Sequence, residues 1–169
     1  MMMFSWHNYN SEGDYMSKIL VSYFSATGTT KKVAETISSV LNADLVEIEP
    51  SIKYTTEDLN WNDSNSRSSI EMRDGIKPDI KNEEINMGLY DTIIIGFPVW
   101  WYKAPTIINS FIEKNNFDNK KVYVFVTSGS STVDGSFEHL KNEYPSINFI
   151  SGKRFAPNPS NDEIINWIN

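Results

Sequence analysis

A chain of 169 residues with 40% hydrophobic and 22% charged residues is large enough for one domain with a full core and too small for two ordinary ones. Its net charge of -7 excludes nucleic acid as a natural ligand, because such binding needs a basic surface that displaces counterions from phosphates, and suits partners with basic patches instead. The absence of cysteine excludes thiolate catalysis, disulfides and iron–sulfur ligation, so redox chemistry would have to come from a bound cofactor.

The first fifteen residues, MMMFSWHNYNSEGDY, have neither the basic end nor the apolar run of a secretory signal, and Met16 stands directly before a strand-like stretch. Residues 1–15 are therefore read as an upstream extension or expression remnant ahead of a single domain over 17–169, with Phe4 and Trp6 available to dock on its body. His7 and His139 are far apart and lack the spaced partners of a metal site, so no metal is expected. No run approaches the roughly 18 apolar residues of a membrane span, and the cytoplasm is the expected compartment.

The first strand, KILVSYF over 18–24, is nearly continuously apolar and β-branched, as in a parallel strand buried on both faces. A helix follows from near Thr29, with Val33, Ile37, Val40 and Leu41 on one stripe. Between them lies SATGTT, residues 25–30, which packs no core but offers hydroxyls and backbone N–H groups at a helix N-terminus, where an anion is held without arginine. Gly28 allows close backbone approach, and the spacing is neither that of a nucleoside triphosphate loop nor of a dinucleotide fingerprint. With four hydroxyls, on Ser25, Thr27, Thr29 and Thr30, the loop best fits a single phosphate, while Lys31 and Lys32 read as exposed helix surface.

The second strand, DLVEIE over 44–49, alternates. After it, residues 51–86 are polar, with only a modest helical pattern over 66–72; so long a connection in an α/β domain is usually functional. The third strand, DTIIIGF over 91–97, opens into GFPVWWYKAP, where Trp100, Trp101 and Tyr102 need something flat to cover them, although at least one is expected to fold back as core. Pro105 then starts a helix with Ile107, Ile108, Phe111 and Ile112 on its apolar stripe. The fourth strand, KVYVFVT over 121–127, ends in the small polar loop TSGSST, and a helix over 133–144, a strand over 147–152 and a closing helix capped by Ser160 or Asn161 complete the chain. Strands alternating with helices predict an α/β fold, a parallel sheet with helices on both faces. Ligands of such sheets sit beyond the carboxyl ends of the strands, where the three loops supply a phosphate cradle, an aromatic wall and a polar rim.

SATGTT after a buried first strand resembles the phosphate loop of the flavodoxin family, and the other two loops resemble that family's isoalloxazine loops; the resemblance covers residues 17–169. It implies a three-layer doubly wound fold with a five-stranded parallel sheet of order 2-1-3-4-5 and noncovalent FMN. Ser25, Thr27, Gly28, Thr29 and Thr30 would bind the phosphate. Pro98, Val99, Trp100, Trp101 and Tyr102 would line the ring, and Ser128, Gly129 and Ser130 would meet its pyrimidine edge. No side chain is expected to act catalytically. Two departures from the family stand out. Many flavodoxins flip a glycine peptide in the second loop to accept a hydrogen bond from the reduced ring, but no glycine lies between Pro98 and Pro105, and left-handed backbone there costs about 1–2 kcal/mol. The third loop, SGSSTVDG, also lacks the aromatic that covers the outer ring face in many relatives. Trp61, with Asn60, Asn62 and Arg67 near it, is the candidate cover, or else an anchor for its segment.

The expected function is that of a soluble low-potential electron carrier, monomeric or weakly dimeric, serving redox partner proteins with basic patches. The alternative is a small FMN-dependent quinone or nitroaromatic reductase that uses NAD(P)H and a small flat electron acceptor.

Overall fold

The structure is a computed structural model and describes residues 18–169. The N-terminal segment, with Phe4, Trp6 and His7, lies outside the described residues.

Strands β1 (Ile19–Tyr23), β2 (Asp44–Glu47), β3 (Thr92–Pro98), β4 (Lys121–Thr127) and β5 (Asn148–Arg154) form one parallel sheet of order β2-β1-β3-β4-β5. Helices α1 (Thr29–Leu41), α2 (Arg67–Asp74), α3 (Thr106–Lys114), α4 (Asp134–Glu143) and α5 (Asn161–Ile168) lie in the connections and after the last strand. Period-two geometry divides each central strand between two cores. Ile93, Ile95 and Phe97 of β3, with Val122, Val124 and Val126 of β4, pack in one core with Ile107, Ile108 and Phe111 of α3 and Leu140 of α4. Ile94, Tyr123 and Phe125 point the other way and pack with Val33, Ala34 and Ile37 of α1 and Ile164 of α5. Such two-sided burial is why these strands carry unbroken apolar runs.

Gly96 has a steric reason. It pairs with Phe125 in register, and a Cβ at Gly96 would stand 2.0 Å from that ring, so the aromatic fills the space a side chain would need. α5 opens with a full capping box, the Ser160 hydroxyl accepting from the Glu163 N–H and the Glu163 carboxylate accepting from the Ser160 N–H. β5 runs two residues beyond the expected end at Gly152, and this extension carries Arg154 to the sheet's carboxyl edge.

The long polar connection is closed at its neck. Pro50 and Ile80 form an antiparallel bridge, and the N–H groups of Ser51 and Lys81 donate to the carbonyls of Asp79 and Glu49 at 2.9 and 2.8 Å. Among the described residues no helix is long and apolar enough to cross a membrane.

Candidate functional site

β1, β3 and β4 are neighbours, so their carboxyl ends deliver three loops side by side. Short contacts tie them together: Phe24 N–H to Gly96 carbonyl at 3.0 Å, Val99 N–H to Thr127 carbonyl at 3.2 Å, and the hydroxyls of Thr30 and Thr127 at 2.7 Å.

In the first loop, Gly28 turns through left-handed backbone (φ 101°) and serves as the N-cap of α1. The Ser25 hydroxyl oxygen accepts from the N–H groups of Gly28 and Lys31, both at 3.1 Å, which closes the loop on itself. The N–H groups of Thr27, Thr29 and Thr30 have no acceptor among the described residues, and they stand at the positive end of the helix dipole. The side chains of Thr27 and Thr29 are exposed. Thr30 departs from the four-hydroxyl reading: it is buried, and its hydroxyl is committed to Thr127, leaving its backbone N–H as the group it can offer. Lys31 and Lys32 are exposed, as expected of an outward helix face.

In the second loop the aromatics divide. Trp100 is the one that folds inward, edge-on to Phe24 (5.6 Å between centroids) and to Tyr54 (5.5 Å). Trp101 and Tyr102 remain exposed. Both have positive φ, 49° and 64°, between reciprocal hydrogen bonds of Trp100 and Lys103 at 2.9 and 3.0 Å. This is the geometry of a two-residue turn that ordinarily uses Asn-Gly. The missing glycine therefore does not keep the loop out of left-handed backbone. Packing holds it there: a Cβ on Gly135 of α4 would stand 2.7 Å from the Tyr102 carbonyl oxygen, so the helix start lies directly against the turn.

The third loop is fixed from β5. Arg154 donates to the Ser128 hydroxyl at 3.1 Å and the Ser128 carbonyl at 2.7 Å, and the Ser128 hydroxyl donates to the Ser131 carbonyl. Ser128 thus shapes the loop, whereas Gly129 and Ser130 are exposed.

The polar connection reaches the second loop through Arg67 and through Tyr54 and Glu71, two side chains that sequence reading missed. The Tyr54 hydroxyl donates to the buried Glu71 carboxylate at 2.5 Å, and Arg67 donates to the same carboxylate at 2.9 Å. The Arg67 guanidinium also lies 3.9 Å from the Tyr54 ring centroid. Burial, then the bond to Glu71, holds the Tyr54 hydroxyl protonated far above the usual phenol range. Tyr54, not Trp61, is the anchor. Trp61 is 70% exposed and lines a cavity of about 430 Å³ that it shares with Trp101 and that no residue of the third loop lines. Pro98 and Val99 are half-buried at the strand end.

A parallel sheet of order 2-1-3-4-5 with helices on both faces defines the flavodoxin-like class of α/β protein. The flavodoxin family profile matches residues 18–169, and the chain belongs to that family. A candidate flavoprotein from Bacteroides eggerthii, known from its crystal structure, is 44% identical with a TM-score of 0.87, over 90% of this chain and 96% of that one. A Lactobacillus acidophilus flavoprotein solved in complex with FMN is 25% identical with a TM-score of 0.72, over 90% of this chain and 99% of that one. The chain is also 28% identical over 100 residues to NAD(P)H dehydrogenase (quinone) 1 of Rattus norvegicus, a match covering 49% of this chain and 35% of that protein. It therefore spans about a third of the length of that curated relative.

Proposed function

We propose that the chain binds FMN at these three loops and passes electrons to a partner protein. The observation that carries the reading is the set of N–H groups on Thr27, Thr29 and Thr30 that have no acceptor among the described residues, beside the exposed hydroxyls of Thr27 and Thr29 and next to an exposed aromatic turn. A phosphate fits the first feature and a flat ring fits the second. The Lactobacillus relative, solved with FMN, supports the choice of nucleotide. Bound FMN would supply one- and two-electron redox chemistry.

The protein's own part is to hold, orient and tune. Gly28 and the start of α1 fix the phosphate, Trp101 and Tyr102 give the ring an apolar wall, and Arg154 keeps the third loop in shape through Ser128. The net charge of -7 disfavours further negative charge on the ring and steers basic surfaces toward it.

One observation favours a second reading, a small NAD(P)H-dependent reductase of flat acceptors: the cavity between Trp61 and Trp101 has room for a small molecule. A single experiment separates the two. FMN-loaded protein is reduced anaerobically and mixed with a basic haem protein such as cytochrome c at rising ionic strength. A carrier transfers electrons at a rate that falls steeply with salt. Salt-independent transfer, together with steady NAD(P)H-driven turnover of a naphthoquinone, makes the reductase the correct reading. Failure to retain FMN removes both.

A further inference from the structure

The cavity between the polar connection and the second loop shares Trp101 with the FMN reading, but the rest of its lining plays no part in that reading. Trp61, Asn62, Met72, Arg73, Trp101 and Lys103 line it, and no residue of the first or third loop does. Its volume of about 430 Å³ falls within the range of small-molecule pockets, roughly 300–1,000 Å³.

Two indoles border this space at a cost in exposed apolar surface: Trp61 is 70% and Trp101 42% accessible. Neither meets another aromatic ring among the described residues. Trp101 additionally occupies left-handed backbone, which a tryptophan has no intrinsic reason to adopt. Met72 adds a polarisable thioether suited to an aromatic edge.

The charge of the lining runs against that of the chain. In a protein of net charge -7, no aspartate or glutamate lines this cavity, but two cations do. Arg73 is committed to Asp74 at 3.1 Å and to the Ser64 carbonyl at 3.0 Å, which fixes it in place and offsets its charge. The Lys103 ammonium has no carboxylate within ion-pair distance among the described residues. It is carried on the residue that closes the strained turn, so its backbone is held while its side chain is free.

We infer that this cavity is a second binding site, for a planar aromatic anion held between Trp61 and Trp101 with its negative group toward Lys103. The inference goes beyond the FMN reading and rests on it only for the site's place beside the flavin loop, since binding requires no electron transfer.

The test uses the full chain, FMN-loaded and FMN-free, in calorimetric titrations with anthraquinone-2-sulfonate and its uncharged analogue 2-(hydroxymethyl)anthraquinone. The loaded protein is expected to bind the sulfonate more tightly than the neutral compound. Trp61→Ala should weaken sulfonate binding about tenfold, the scale of a lost stacking partner. Lys103→Gln should weaken it about threefold to fivefold, abolish the preference for the charged compound and leave FMN retention unchanged. Sulfonate binding that is absent, or insensitive to both substitutions, would overturn the site. So would binding only to FMN-free protein with displacement by FMN, which would mean that the flavin itself fills the cavity. Sulfonate binding with these mutational effects in a protein that never retains FMN would leave the site standing and remove the FMN reading alone.

Discussion

Two loops at the same sheet edge turn through left-handed backbone with opposite kinds of residue. The first does so at Gly28 (φ 101°), where no Cβ exists to resist it. The second does so at Trp101 and Tyr102, two of the bulkiest residues available, at a cost of about 1–2 kcal/mol each. Among the described residues the other non-glycine positions with positive φ are Asn42 and Asn119, which tolerate that region. What each loop presents accounts for the difference. In the first loop the backbone N–H groups are what the proposed phosphate would meet, so a side chain at Gly28 would only obstruct it. In the second the side chains are the surface, so the fold retains them and accepts the strain, braced by Gly135 beneath the Tyr102 carbonyl.

The most severe way to break the comparison is to put charge where the backbone is the ligand. Thr29→Asp sets a carboxylate against the free N–H groups and the incoming phosphate; a like charge at about 4 Å in a partly screened site costs about 4 kcal/mol, so FMN affinity should fall by more than about a hundredfold. Titration of flavin fluorescence reads this directly, and unchanged affinity would dismiss the first loop as the phosphate site.

Gly28→Ala sharpens the contrast, because nothing lies within 4 Å of the added Cβ and the cost is purely conformational. A loss of about 1–2 kcal/mol in urea unfolding is expected. A much larger loss would point to a clash that the geometry does not contain. Tyr102→Gly is the mirror experiment. Tyr102 is 75% exposed, so little packing is lost while strain is relieved, and stability should rise by about 1 kcal/mol as FMN affinity falls. A variant that is less stable would mean that the turn is set by its side chains and not by the packing around it.

The fold was legible because its signals are local. Apolar β-branched runs marked β1, β3 and β4, and helix stripes such as Ile107, Ile108, Phe111 and Ile112 are buried as their spacing predicts. The first loop was legible for the same reason, apart from the direction of the Thr30 hydroxyl, which depends on Thr127 ninety-seven residues away. The left-handed turn at Trp101 and Tyr102 was not legible, since tertiary packing overrides a local preference that neither residue advertises. Nor was the identity of the inward aromatic: Trp100 is chosen by Phe24 and Tyr54, which meet it only in three dimensions. Arg67 and Glu71 form an i,i+4 pair on α2, but their link to Tyr54 and the Arg154 clamp on Ser128 join residues with no shared period or motif.

The smallest expected effect bears on whether the first loop works through backbone or through nearby charge. Lys31 and Lys32 directly follow the hydroxyl run, and a reader of sequence alone would be tempted to give them the phosphate. Both are exposed on α1, where solvent screens a lysine's pull on an anion to well under 1 kcal/mol. The Lys31 N–H is already taken by the Ser25 hydroxyl and the Lys32 N–H by the Gly28 carbonyl, so neither backbone donor is free for the ligand. Lys31→Gln and Lys32→Gln should each weaken FMN binding by less than about threefold, with the difference vanishing at high salt. A tenfold loss that persists in salt would transfer the anion from the backbone N–H groups to an ammonium, and the contrast between a loop that binds by its chain and one that binds by its side chains would no longer hold.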